Sequence, residues 1–170
     1  MNVLKQFRIH LIFLPALLSM TLPAQERTSV SIKAQANVID RSGIELITIK
    51  NMDVDVSMAR NGKIYVSALH DAQAAEMMVK GRANAKFRVT FPAVVEITNT
   101  TGKGSLVLYY EMYGYPNDNQ EASEPIDAVE RTLQISSESK YYFWVGGRID
   151  ISKAGPGNYD GEITIEIEYI

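Results

Sequence analysis

The sequence predicts an all-β protein of a single domain, built from two antiparallel sheets packed face to face. Three observations carry that expectation. Apolar residues recur at every second position over most of the chain, turns rich in Gly, Pro and Asn separate these runs, and helical spacing is almost absent. About 146 residues follow the N-terminal segment described next, enough for one ordinary domain with a sizeable core.

Residues 1–24 stand apart from the strand pattern. Lys5 and Arg8 precede the uncharged run Leu11-Ile12-Phe13-Leu14-Pro15-Ala16-Leu17-Leu18, and Ala24 ends the segment ahead of Gln25-Glu26-Arg27. That order marks a cleavable secretion signal. The run falls short of the about 20 residues that a membrane-spanning helix needs, and Pro15 interrupts it. The expected product is residues 25–170, delivered to the periplasm or the cell surface, with no transmembrane segment after cleavage. The chain has no cysteine, so neither a thioether lipid anchor nor a disulfide is available, and core packing must supply the stability instead. Cleavage removes two of 17 basic residues and none of 20 acidic ones, leaving a net charge of −5. Nucleic acid is not an expected partner, because phosphate binding needs a clustered positive surface.

The strands follow in order. Val30, Ile32, Ala34, Ala36 and Val38 alternate with polar residues, and Ile44 to Ile49 resumes after Ser42-Gly43. Asn61-Gly62 is a hairpin signal, since both residues tolerate positive φ, and Lys63-Ile64-Tyr65-Val66-Ser67 begins a third strand. Residues 71–75 fit one helical turn. Met77-Met78-Val79 and Phe87-Arg88-Val89-Thr90-Phe91 read as strands on either side of Gly81, the second ended by Pro92. Val94 to Thr98 closes in the polar turn of residues 99–104, and residues 105–113 return to β composition.

Residues 114–127 carry two prolines and Asn117-Asp118-Asn119 with no apolar period, and predict a long exposed loop. Residues 132–135 and 141–151 are the next strands, and Gly155-Pro156-Gly157 turns the chain into the last. There Tyr159, Gly161, Ile163, Ile165, Ile167 and Tyr169 share one face, while Asp160, Glu162, Thr164, Glu166 and Glu168 share the other. The acidic face is expected to favour solubility and discourage edge pairing.

Little in the chain points to catalysis. Downstream of the signal there is one histidine, His70, in a setting that suits a solvated or capping role, and no nucleophile motif, metal-ligand spacing or phosphate loop is present. No catalytic residue, metal or cofactor is expected, although a hydrolase using two of the twenty carboxylates stays open as a third reading. The oxygen-rich residues Asn117, Asp118, Asn119 and Glu121 lack the glycine and distal glutamate of a calcium loop. Tyr113 and Tyr115 run into that segment. With Asn117, Asp118 and Asn119 they are the candidate ligand contacts, since exposed tyrosines stack on sugars or anchor protein interfaces. Asn99-Thr100-Thr101 has the pattern of a glycosylation acceptor and is read as a turn.

Two resemblances add to this. Val145-Gly146-Gly147-Arg148-Ile149-Asp150-Ile151, then Gly155-Pro156-Gly157-Asn158-Tyr159-Asp160-Gly161, then Ile163 to Tyr169, resemble the close of the secreted bacterial family catalogued as domain of unknown function 4402. Weaker echoes are Ala34-Gln35-Ala36-Asn37-Val38 and Val79-Lys80-Gly81 with the strand of Phe87 to Phe91. The resemblance implies an immunoglobulin-like sandwich in an exported protein of a Gram-negative bacterium, and no activity. The chain also resembles fimbrial subunits, which end in an alternating strand with tyrosine next to last and a glycine fourteenth from the end. Tyr169 and Gly157 hold those places.

Such subunits are completed by a strand from a neighbour. On that resemblance Gly157, Ile163, Ile165, Ile167 and Tyr169 form a candidate assembly strand, and residues 30–38 are a donor only if they are not the domain's own first strand. The functional expectation is an exported, non-catalytic structural or adhesive subunit of the cell surface or periplasm that meets protein partners or itself through sheet edges. A standalone module binding carbohydrate or protein is the alternative.

Overall fold

A computed structural model describes residues 43–127 and 131–170 in full, together with residues 29–38, of which 29 and 32–38 are described by their backbone alone. The secretion signal expected over residues 1–24 lies outside the described residues. The strands are β1 (Ser29–Val38), β2 (Glu45–Lys50), β3 (Met52–Asp55), β4 (Lys63–Val66), β5 (Ala75–Lys80), β6 (Lys86–Thr90), β7 (Val94–Asn99), β8 (Ser105–Tyr115), β9 (Glu124–Ile126), β10 (Arg131–Gln134), β11 (Lys140–Asp150) and β12 (Asn158–Tyr169). No α-helix occurs among the described residues, and no helix there is long and apolar enough to cross a membrane.

The all-β expectation holds, with a different connection between the layers. One hydrogen-bonded sheet, in the order β10-β6-β12-β7-β8-β11-β5-β2, curls on itself until it nearly closes as a barrel-like sandwich. Short strands complete it, with β4 on β11, β9 on β8, and β1 between β12 and β3. Phe91-Pro92-Ala93 makes a corner. Pro92 has no N–H for a ladder, and at this break the chain changes neighbours. Before it β6 lies beside β10; after it β7 lies beside β8. Strand β12 bridges the corner, with Glu166 opposite Thr90 of β6 and Asp160 opposite Thr98 of β7.

Alternation decides which side chains fill the sandwich. Along β7 and the first part of β8 every second residue is buried, and Ile163, Ile165 and Ile167 of β12 are wholly enclosed. Burying each isoleucine contributes about 1.5–3 kcal/mol. Phe87, Tyr141 and Phe143 form an aromatic centre, with Phe87 and Tyr141 edge to face at 5.4 Å. Burial there pushes the Tyr141 phenol up to about 12. Asn61 and Gly62 both take positive φ, 53° and 73°, as the hairpin into β4 requires.

Strand β11 departs from alternation, because residues 141–147 are buried on both faces. The turn after β4 and the connection after β8 cross its outer side, tied together where Gln120 Nε2 donates to the Ala68 and Asp71 carbonyls at 2.8 and 3.1 Å. Beneath them Tyr142 and Trp144 stack at 6.2 Å. Gly146 is obligatory at this crossing. A Cβ there would collide with the Val66 carbonyl and come within 2.5 Å of the Ala68 nitrogen.

Three local expectations are corrected. Residues 114–127 are not an open loop: β8 extends to Tyr115, a 3-10 turn spans Gln120–Ala122, Ser123 is buried and β9 pairs with β8. Residues 71–75 form no helix, but a turn in which Asp71 accepts from the Ser67 N–H at 2.6 Å before β5 begins. The strand-like alternation of Met52-Asp53-Val54-Asp55 forms the short strand β3, with Met52 and Val54 buried and the aspartates exposed. Lastly, the pairing is not wholly antiparallel. Strand β1 runs parallel to β12 from Ser29 opposite Asn158 to Val38 opposite Ile167, and every other strand pair among the described residues is antiparallel.

Candidate functional site

The five residues expected to mark an assembly strand all lie on or at the start of β12, and each has a role inside the domain. Ile163, Ile165 and Ile167 point into the core. Gly157 takes φ 137°, and a Cβ there would sit 2.5 Å from Thr101 Oγ1, so glycine lets the turn before β12 lie against the turn after β7. Tyr169 fastens the other end: its hydroxyl accepts from the Arg82 N–H at 2.7 Å and donates to the Gly43 carbonyl at 3.4 Å, while the Arg82 guanidinium covers its ring at 4.3 Å.

Strand β12 is therefore not an open edge. One side meets β7 and β6, and the other meets β1 over ten register positions. The far side of β1 is held by β3, where Ser31 Oγ donates to Asp53 at 2.6 Å and Val30 and Val54 are both buried. Residues 30–38 thus occupy the place of the domain's own strand. Removing β1 would open the sheet along β12 and β3 together.

The predicted ligand contacts are brought to one end of β8, where Tyr113 alone of the five joins the lining of a cavity shared with Phe91, Tyr110, Met112 and Ile126. Tyr113 and Tyr115 are half-buried, level with Trp144 and Tyr142 of β11. Asn117 and Asp118 are exposed, and Asn119 caps the 3-10 turn by accepting from the Ala122 N–H at 3.3 Å. Burial, and then the nearby Asp118 carboxylate, raise Glu76 above its ordinary 4.5. Among the described residues no group of three or more His, Cys, Asp or Glu side chains could hold a metal. His70 is exposed in the turn after β4, with its backbone N–H donating to Ser67 Oγ at 3.2 Å.

A cavity of about 240 Å³ is lined in part by Phe91, Tyr110, Met112 and Ile126. The buried Tyr110 hydroxyl has no hydrogen-bond partner among the described residues, and burial pushes its phenol up strongly. The space is below the roughly 300 Å³ at which ligand pockets begin.

Sequence reasoning missed a different grouping, on the outer face of β4, β11, β8 and β7. Direct register sets Tyr65, Arg148, Tyr109 and Val94 in one row across the four strands. All four are exposed, the tyrosines by 58% and 54%, and Arg148 reaches over the Tyr109 ring at 5.8 Å. Glu111 organises the row's upper margin, accepting from the Tyr65 hydroxyl and the Ala68 N–H, each at 3.1 Å. Partial burial first, and Glu111 next, raise the Tyr65 phenol. The usable signal was alternation itself, which sends Tyr65 and Tyr109 away from Ile64 and Leu108; which strands lie side by side was not readable.

A family model described as Domain of unknown function (DUF4402) matches residues 39–169. The match takes in every strand from β2 to β12 and begins just beyond β1. No curated protein matches the chain.

Proposed function

The chain belongs to the DUF4402 family, and from that premise we propose that it is an exported, non-catalytic structural or adhesive subunit of the periplasm or cell surface, joined to like subunits by exchange of strand β1. Residues 30–38 fill the domain's own first-strand place, so donation to a neighbour requires exchange of β1 between copies rather than a free extension; what supports exchange is that β1, seated parallel between β12 and β3, lies outside the segment that the family model matches. Apart from the pairing of β1 with β3, all the antiparallel strand pairs among the described residues belong to the chain downstream of β1. A strand at one end of the sheet's chain order can leave and be replaced by the same strand of a neighbour, because sheet edges accept any chain of suitable alternation. The N-terminal secretion pattern supports the exported setting.

The test is an SDS gel of unboiled and boiled material beside light scattering of the native chain. Strand exchange predicts an SDS-resistant ladder that collapses on boiling. The double substitution Gln35→Pro and Ala36→Pro should abolish it, since one of two adjacent β1 N–H groups points toward β12 and proline removes both. Only monomer on the unboiled gel of the unaltered chain would rule the reading out.

A further inference from the structure

We propose that the outer face of β4, β11, β8 and β7 binds a second copy of this chain, the two copies related by a two-fold axis running along the strands between β11 and β8. Four of the six exposed large hydrophobic residues of the described chain, Tyr65, Val94, Val107 and Tyr109, gather on this face. Single exposed apolar residues are ordinary, but a contiguous patch rimmed by charge marks an interaction surface. Tyrosine and arginine at its centre, here Tyr109 and Arg148, are the residue types that dominate interface energies.

The register says which partner fits. Beside the row Tyr65, Arg148, Tyr109, Val94 lies a second: Lys63 opposite Asp150, Val107 opposite Glu96, with Asp150 and Val107 one step past the paired residues Ile149 and Leu108. The outermost charges of this row are a lysine on β4 and a glutamate on β7, both exposed. A two-fold along the strands brings β4 of one copy over β7 of the other and β11 over β8. Lys63 then meets Glu96 of the second copy, Tyr65 meets Val94, and Arg148 meets Tyr109, each contact made twice. The Asp150 carboxylate, which faces the second copy's Val107, is already engaged by the Ser152 N–H and hydroxyl at 3.0 and 2.6 Å.

Twist does not oppose the match, because a two-fold along the central strands preserves its hand. Four strands about 4.8 Å apart, matched over the four-residue length of β4, give a footprint on the order of 250 Å². This is below the about 800 Å² per partner of a standard interface, which points to self-association no tighter than micromolar.

The experiment is sedimentation equilibrium of the purified full chain, with Lys63→Glu and with Lys63→Glu combined with Glu96→Lys. The unaltered chain should dimerise, the single reversal should weaken the dimer by about tenfold or more, and the double reversal should restore it to within about threefold. Both positions are exposed, so neither variant threatens the fold. A monomer at all concentrations up to about 100 μM overturns the proposal, leaving the face to a glycan or another protein. A dimer that ignores the reversal, or that the double reversal fails to restore, overturns it equally. Strand-exchanged species are scored separately as SDS-resistant bands, so either association can fail while the other stands.

Discussion

Asn99 illustrates how much a single side chain can hold together. Its carboxamide is buried, with Oδ1 accepting from the Thr101 and Gly102 N–H groups at 3.0 and 2.7 Å and Nδ2 donating to the Pro156 carbonyl at 3.3 Å. Two turns that are far apart in sequence, 99–104 and 155–158, are thereby joined beside Gly157. Replacing Asn99 by alanine strands these backbone groups, and the expected cost is about 1–3 kcal/mol, read as a lowered urea midpoint with an unchanged slope. The sequence announced a turn at this place through Asn-Thr-Thr-Gly. It did not announce the tie to Pro156, because that partner is set by register between β7 and β12. Gly146 and Tyr169 are alike in this: each was visible as part of a motif, while the Val66 carbonyl and the Arg82 N–H that explain them come from distant segments.

At the level of strands, legibility followed length and alternation. β7, β8 and β12 combine a period of two with turn residues at their ends, and each could be placed from the sequence. β9 could not: Glu124-Pro125-Ile126 is three residues long and contains a proline, and it is a strand only because Ile126 lies opposite Met112 of β8. The parallel partner of β1 was equally hidden, since nothing local encodes pairing between strands more than a hundred residues apart. For β12 the physical consequence is that its central isoleucines serve the domain whatever lies on its β1 side. Ile165→Ala is expected to cost about 2–5 kcal/mol in chemical denaturation, through lost transfer energy and an unfilled cavity. A loss below about 1 kcal/mol would mean that this part of the core collapses easily around the gap.

Taken whole, the molecule is a nearly closed sheet whose one parallel seam is made by its first described strand. Sequence patterns conveyed the class and most of the strands, but not the closure, which depends on where β1 lies. They drew attention to Tyr113 and Tyr115 through the neighbouring polar residues, whereas the structure gathers its exposed aromatic surface at Tyr65 and Tyr109. Both differences arise because neighbours across a sheet are a property of the complete fold. Closure by a terminal strand has a thermodynamic consequence for the entire domain. If β1 can be supplied from outside, a peptide of residues 29–38 should bind the chain carrying Gln35→Pro and Ala36→Pro and stabilise it by mass action. At a peptide concentration about 100 times its Kd the gain is about 2.7 kcal/mol, or roughly 5–10 °C in Tm for a domain of this size. The shift should grow with the logarithm of peptide concentration and vanish for a peptide that carries the same two prolines. A melting curve indifferent to the unaltered peptide would mean that β1 is held only from within its own chain, and strand exchange would then lack the open seam it requires.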